Sequence, residues 1–508
     1  MAVPHVLIFP LPLQGPVSCM LKLAELLCLH QEIYVTFLNT EHIQQRLLNC
    51  TDVEIRFEKY PNFKFITVPD GLPEDNPRTG DQIMKIIEGI EEVSSPLFRE
   101  MVIAACGGPT CLIVDGIFTF AVDVAKEVRI PLLYFDTISP CGLWTYLAVP
   151  KLIEAGEIPF KENSAFSTLY SLFIIVNLLC LCRCCFPQKF SGNDLDALVN
   201  NVPGMEGVLR RRDLPSFCRS PSLDCPIIQL VIKEGKHIVQ AQGVIFNTFE
   251  GLEGPILSQF RSMIPNIYAI GPLHIQIKAK LAASQQCLPK TTTMSNSLWK
   301  EDMSCMDWLD KQPKKSVLFV SIGSLATMSK AHFLEFWYGL VNSMTPFLWV
   351  QRPGSIIGLE EDEDDNINNV PKELSESTKE RGCIVRWAPQ EEVLAHSSIG
   401  GFLTHSGWNS TLESIVEGVP MICWPYFVDQ HVNSRYVGEV WKLGLDMKDI
   451  CDRATVERMV RQVMEVNKID FLERAKERSH LAIASVAENG SSYQDLDRLI
   501  EDIKLMRI

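Results

Sequence analysis

The sequence predicts an α/β protein of two successive domains, each built on a parallel sheet, and three observations carry that prediction. From Val6 to Phe135 short apolar runs alternate with longer helical patterns, the rhythm of βαβ units. The same rhythm restarts at Ser316 and continues to Trp424. Between the two, Gly271 to Gln312 holds a Gly-Pro pair, three consecutive threonines and a Ser-Asn-Ser, the composition of an interdomain linker.

In the first domain the strand candidates are Val6 to Phe9, Ile33 to Leu38, Phe65 to Val68, Leu112 to Val114 and Leu132 to Phe135. Each is a short, β-branched or aromatic run bounded by turn residues. Val17 to His30, Gln82 to Ala105 and Phe118 to Val128 read as the helices between them. In the second domain the strands are Ser316 to Ser321, Phe347 to Val350, Cys383 to Val385, Gly401 to Thr404 and Met421 to Trp424, and Ser492 to Met506 is a last amphipathic helix.

The 508 residues suit two or three domains at roughly 150 residues each, and 46% hydrophobic with 21% charged residues is ordinary globular usage. A net charge of −15 opposes nucleic acid and anionic membranes as partners. Seventeen cysteines, an odd number, argue against a disulfide framework and for a reducing compartment. The apolar start has no Lys or Arg before Lys22, so a secretory leader is not expected and a cytoplasmic protein is.

Ligands of open α/β sheets bind beyond the carboxyl ends of the strands. No G-x-G-x-x-G, P-loop, H-E-x-x-H or G-x-S-x-G stands there, so the dinucleotide, P-loop, zincin and hydrolase readings lose their main support. Cys182, Cys184 and Cys185 lack partners at zinc spacing, and the acidic run Glu360 to Asp365 suits a solvated loop, so no metal is expected.

The chemistry concentrates in residues 387–430, WAPQEEVLAHSSIGGFLTHSGWNSTLESIVEGVPMICWPYFVDQ. The strand ending at Thr404 runs into His405, Ser406 and Gly407, and a helix opens near Trp408 to Ser410. Free N–H groups and the positive dipole end at such a helix start suit a diphosphate, with His405 and Ser410 as added donors. Glu413 could accept from ribose hydroxyls, Trp387 offers a flat face to a base, and Asp429 with Gln430 could grip sugar hydroxyls. Taken singly, Trp387 reads equally as packing and Glu413 as a solvated helix charge; the combination and order carry the nucleotide-sugar reading.

This segment resembles the 44-residue signature of plant UDP-dependent glycosyltransferases, glycosyltransferase family 1. The resemblance implies the GT-B fold, two facing Rossmann-like domains. It extends through FPLPLQG, PDGLP at Pro69 to Pro73, VIFNTFEGLE, VSIGS, DWLDKQP and FLWV. It implies that Trp387 stacks on uracil, that Gln390 and Glu413 meet the ribose, and that His405, Asn409 and Ser410 hold the diphosphate. By the same resemblance Ser324 contacts phosphate, with Ile322 where Phe is common, and Asp429 and Gln430 bind the hexose, the Gln leaning toward UDP-glucose. Ala388, Gly407, Trp408 and Tyr426 complete the donor set. No cofactor beyond the UDP-glucose co-substrate is implied, and a monomer is expected. The amino-terminal half is most similar to the family's 7-deoxyloganetic acid glucosyltransferases, which act on an iridoid.

Inverting transfer needs a base near the acceptor oxygen, worth roughly 10²–10⁴-fold. The family places a His in a Gln-Gly-His sequence, oriented by an Asp; this chain reads Gln14-Gly15-Pro16, and Asp115 matches the orienting Asp. Proline has no proton to exchange. Three readings stay open: an acidic acceptor that needs little base, Asp115 as a weak base directly or through water, or a UDP-sugar-binding pseudoenzyme. Phe118, Thr137, Ser139, Leu143 and Trp144, at or beyond strand ends, are candidate acceptor residues or core.

Residues 165–186, AFSTLYSLFIIVNLLCLCRCCF, approach the ~20 residues of a bilayer span, yet removing 164–193 joins GEIPFKEN to DLDALVNNVPGME as a continuous family sequence. An inserted segment, a membrane-touching loop and an apolar lid compete. A lone span inside an α/β domain is physically poor, so no stable membrane insertion is expected. The expected organisation is an acceptor domain over 1–255 with the insertion at 164–193, a linker region over 256–312, a UDP-sugar domain over 313–485, and a carboxyl-terminal helix over 486–508 packing back on the first domain.

Overall fold

The computed structural model describes residues 3–104, 108–160, 193–283, 295–357 and 371–506. The expected insertion apart from Asn193, the cysteine cluster inside it and the acidic run 360–365 lie outside the described residues.

The first sheet is formed by β1 (His5–Phe9), β2 (Tyr34–Thr40), β3 (Phe63–Val68), β4 (Cys111–Asp115), β5 (Leu132–Asp136), β6 (Gly243–Phe246) and β7 (Ile267–Ala269). All neighbours are parallel and the order is β3-β2-β1-β4-β5-β6-β7. The second half holds β8 (Val317–Ser321), β9 (Met328–Ser329), β10 (Phe347–Val350), β11 (Ile356–Ile357), β12 (Gly382–Val385), β13 (Ile399–Thr404), β14 (Met421–Cys423) and β15 (Gly444–Asp446). Its six-stranded parallel sheet has the order β12-β10-β8-β13-β14-β15, and β9 and β11 make a separate small pair.

Both sheets reverse direction of winding beside their first strand, at β1/β4 and at β8/β13. Those are the switch points at whose carboxyl ends open α/β sheets bind ligands. Residue alternation explains the burial on both faces: Leu7 and Phe9 of β1 enter one core cluster while Val6 and Ile8 enter another. Likewise Val317 and Phe319 of β8 point to one side, Leu318 and Val320 to the other. One cluster contains residues of both sheets, so the domains share a continuous core around their interface.

Three expectations need correction. The stretch 256–312 is not simply linker: β7 is the edge of the first sheet, so that sheet runs past residue 255, and Leu273–Ala283 and Ser304–Leu309 are helices. The predicted helix Gln82–Ala105 is interrupted by a wide turn at Ile90–Ser94 between Ile83–Gly89 and Ser95–Ala104. The predicted helix Val17–His30 begins earlier, at Gln14, and ends at Cys28. The last helix, Ser491–Leu505, lies on the first domain: Leu496, Leu499, Ile500 and Ile503 join the cluster that holds Tyr268, and Tyr268 Oη donates to Asp502 at 2.7 Å. Among the described residues, no helix is long and apolar enough to cross a membrane.

Candidate active site at the two switch points

The carboxyl ends of β1 and β8, with the loop after β13, enclose one cleft. Gln14, Gly15, Ser18 and Thr137 line it from the first domain; Ser324, Trp387, Ala388, Gln390, His405, Gly407, Trp408, Asn409, Ser410 and Glu413 line it from the second.

The β13 loop is built for close approach. Ser406 takes a left-handed φ of 64°, held by Thr404 Oγ1 accepting from its amide at 3.2 Å, and this turns the chain into the helix Trp408–Val416. That helix has no side-chain cap, so its first-turn amides are left for a ligand. The His405 ring fits between Gly323 and Gly407. A Cβ at Gly323 would stand 2.5 Å from His405 Nε2, and one at Gly407 would collide with the same atom. Burial pushes the His405 imidazole down to about 4, so it is neutral at physiological pH, and its Nδ1 has no partner.

Gln390 Nε2 donates both to Ser410 Oγ at 2.8 Å and to Glu413 Oε2 at 2.7 Å, tying three expected donor residues into one wall. Burial, then the neighbouring Glu391, pushes the Glu413 carboxyl up to about 7. Glu391 is itself held by Lys22 at 2.7 Å and Lys278 at 2.8 Å. Trp387 has one side stacked on Trp299, with ring centroids 5.8 Å apart and planes 29° apart, and Arg46 caps Trp299 at 4.4 Å.

Several lining residues escaped the sequence reading. Ser295, Asn296 and Ser297 come from the stretch taken as linker, and they are fixed across the interface where Gln14 donates to Asn296 O and accepts from the Leu298 amide. Glu391 stood beside Gln390 in the quoted segment; its two lysines lie far away in sequence, so nothing local marked it.

Other expected residues are placed differently. Tyr426, Asp429 and Gln430 do not line this cleft. Gln430 Oε1 accepts from the Tyr426 and Phe427 amides, Tyr426 Oη pairs with Thr327, and Asp429 accepts from Asn433, whose amide also donates to Ser406 O. They stand one layer behind the β13 loop because the left-handed Val428 and these bonds fold the chain inward. Of the acceptor candidates only Thr137 reaches the cleft. Helix Pro140–Leu147 follows β5 so closely that Leu143 and Trp144 turn into the core, Trp144 donating to Pro203 O. Ser139 caps that helix and donates to Asn433, and Phe118 packs on Phe9 and Phe120. Among the described residues no group of three or more His, Cys, Asp or Glu is placed to hold a metal ion.

Pro16 sits in the first turn of helix Gln14–Cys28, where an amide would lack an intrahelical partner anyway, so the fold tolerates it. Asp115 ends β4. It accepts from the Ile117 amide at 3.3 Å and from Thr137 Oγ1 at 3.2 Å, and burial pushes its carboxyl up to about 6.

Known proteins share this fold and much of this sequence. The chain is 49% identical over 512 residues to the 7-deoxyloganetic acid glucosyltransferase of Catharanthus roseus, covering 99% of this chain and 98% of that one. It belongs to the family of UDP-dependent glycosyltransferases. The family model described as UDP-glucoronosyl and UDP-glucosyl transferase matches residues 249–470. The myricetin 3-O-rhamnoside 1,2-glucosyltransferase of Crocosmia x crocosmiiflora is 39% identical, with 99% of this chain and 96% of that one covered. Among solved structures, Os79 from O. sativa in complex with UDP is similar at a TM-score of 0.73 and 26% identity, covering 98% of this chain and all of that one. Two parallel α/β domains facing across a cleft are the GT-B arrangement, and this glycosyltransferase adopts it.

Proposed function

We propose that this glycosyltransferase moves glucose from UDP-glucose, with inversion, to a hydroxyl or carboxyl of a small plant metabolite, an iridoid acid in the first instance. The observation that carries the donor half is the cleft wall Trp387, Gln390, His405, Ser410 and Glu413, joined at the open start of helix Trp408–Val416. Trp387 is assigned to uracil, Gln390 and Glu413 to ribose, and His405, Asn409, Ser324 and the Trp408–Ser410 amides to the diphosphate. Asp429 is assigned the support of that loop through Asn433, and Gln430 the bracing of the Tyr426–Phe427 turn beside it. The iridoid acceptor rests on the 49% identity to an enzyme named for one.

The protein is read as a cytosolic monomer that works without a metal. All eleven described cysteines are free, in keeping with a reducing compartment. Calorimetry with UDP, followed by product detection from UDP-glucose with a panel of iridoid acids, phenols and alcohols, tests the reading. UDP binding together with a glucosylated product is expected. UDP binding without any product would leave a pseudoenzyme, and no UDP binding would overturn the donor assignment itself.

A further inference from the structure

We propose that Thr137 carries the proton of a hydroxyl acceptor to Asp115, so that a hydroxyl–carboxylate relay does the work that Pro16 cannot. The proposal rests on the transferase reading above and deepens it.

The geometry divides the task between two residues. Asp115 is buried at the end of β4 and is not among the residues that line the cleft. Thr137, one residue beyond β5, does line it, together with Gly15, His405, Gly407 and Asn409. The two are joined where Thr137 Oγ1 donates to Asp115 Oδ2 at 3.2 Å. A hydroxyl has one proton and two lone pairs. With its proton directed at Asp115, Thr137 presents lone pairs that can receive an acceptor's proton.

Of the other titratable groups of the cleft, Glu392 is exposed to solvent and the rest are committed elsewhere. Glu391 is clamped between Lys22 and Lys278, Glu413 is bonded to Gln390, and Glu301 accepts from Ser295 at 2.8 Å. His405 is wedged between Gly323 and Gly407, and His5 lies at the opposite end of β1, paired with Thr36. The groups facing Asp115 are Asp136 at the end of β5, Glu234 on helix Pro226–Ile238 and Cys19 on helix Gln14–Cys28. Burial pushes Glu234 up to about 8, Asp136 well up and Cys19 to about 12. Asp115 is thus the member of the group that ionises first, and it does so below neutrality.

In the step itself the acceptor O–H proton passes to Thr137 Oγ1 as the Thr137 proton passes to Asp115 Oδ2. The acceptor oxygen bonds to the anomeric carbon, whose bond to the diphosphate oxygen breaks with its electron pair leaving on UDP. The products are the glucoside, UDP and a protonated Asp115, which returns its proton to solvent before the next turnover. A carboxylate acceptor would need none of this, so the relay marks a hydroxyl as the group glucosylated.

The test compares T137V, T137S, D115N and the double variants T137V/D115N and T137V/P16H, with UDP affinity measured by calorimetry alongside turnover of an alcohol acceptor. T137V is expected to lower kcat on the order of 10²-fold or more, the scale of general-base catalysis, while UDP affinity stays within about threefold. T137S, which keeps the hydroxyl, is expected to retain most of kcat, and D115N with T137V together should cost little more than either alone. Wild-type kcat/KM should fall tenfold per pH unit below about 6. Restoration of turnover in T137V/P16H supports the relay. An unchanged kcat in T137V with a raised KM for UDP-glucose would overturn it, leaving Thr137 as a donor contact. Failure of wild-type enzyme to form any product while binding UDP would instead count against the transferase reading.

Discussion

Asn409 Nδ2 donates to the Gly15 carbonyl at 3.0 Å, while Asn409 Oδ1 accepts from Asn247 Nδ2 at 3.3 Å, so one side chain of the second domain binds the first turn of helix Gln14–Cys28 and the loop after β6. Asn409 also lies in the open first turn of helix Trp408–Val416. Asn409→Asp would put a carboxylate against the Gly15 carbonyl and a negative charge where the diphosphate is assigned. UDP affinity should fall by about 10- to 100-fold, the scale of losing a hydrogen bond to a charged group. Asn409→Ala should cost less, since it adds no charge. Calorimetry that finds Asn409→Asp binding UDP as tightly as wild type would remove the diphosphate from this helix start.

Much of this site was legible because its residues are local in sequence. The strand Gly401 to Thr404 running into His405, and the helix opening at Trp408, need only an apolar run, a Gly and an amphipathic pattern. The rest depended on distant partners. Ser295–Ser297 carry the same polar composition in a linker as in a cleft wall, and distant partners in the first domain, Gln14, Ser18 and Arg56, distinguish the two. β7 has three residues, too few for periodicity, and takes its place from pairing with β6. Asp429 read as a free sugar ligand because Asn433, which engages it, looks in the sequence like any polar helix residue. Leu143 and Trp144 follow a strand end, as a lining residue would, but their direction is set by how tightly helix Pro140–Leu147 follows β5.

Trp387 has one side already stacked on Trp299, which leaves its exposed remainder to a base. Trp387→Ala is expected to weaken UDP binding by 1–3 kcal/mol, about 5- to 150-fold, by analogy with base–aromatic stacking. Trp387→Phe should recover much of it. Free uridine should quench Trp387 fluorescence, and an unquenched signal at saturating uridine would refute the stack.

Asp213, fully buried, is the hub of a cross-domain ion network. It lies 2.9 Å from Arg210 Nε, 3.1 Å from Lys448 Nζ and 3.4 Å from Arg435 Nε, and its carboxyl is held below the usual range by Lys448 and Arg210 despite burial. Asp213→Asn would leave Lys448, only 4% exposed, with Asp446 as its remaining carboxylate neighbour. Removing one partner of a buried pair typically costs about 3–5 kcal/mol. The urea midpoint should drop accordingly, and a loss under about 1 kcal/mol would show the network to be dispensable.

Glu234 and Asp136 face one another across Gly116, where an added Cβ would stand 2.6 Å from Asp136 Oδ2 and 3.3 Å from Glu234 Oε1. Asp136 Oδ2 and Glu234 Oε2 are buried and have no hydrogen-bond partner. Burial raises the Glu234 carboxyl from 4.5 to about 8, with Asp115 adding to the rise. A raised carboxyl keeps its proton in the folded chain while the unfolded chain ionises freely. Stability is therefore full below 4.5, declines as pH climbs from 4.5 toward 8, and carries a constant penalty above that. Glu234→Gln removes the titration and keeps the shape. Its denaturant midpoint should exceed that of wild type at pH 9, the gap should shrink steadily toward pH 5, and Asp136→Asn should reduce what remains of the slope. A gap independent of pH would mean that Glu234 ionises in the folded protein as it does in the unfolded chain, and that burial here is relieved by water.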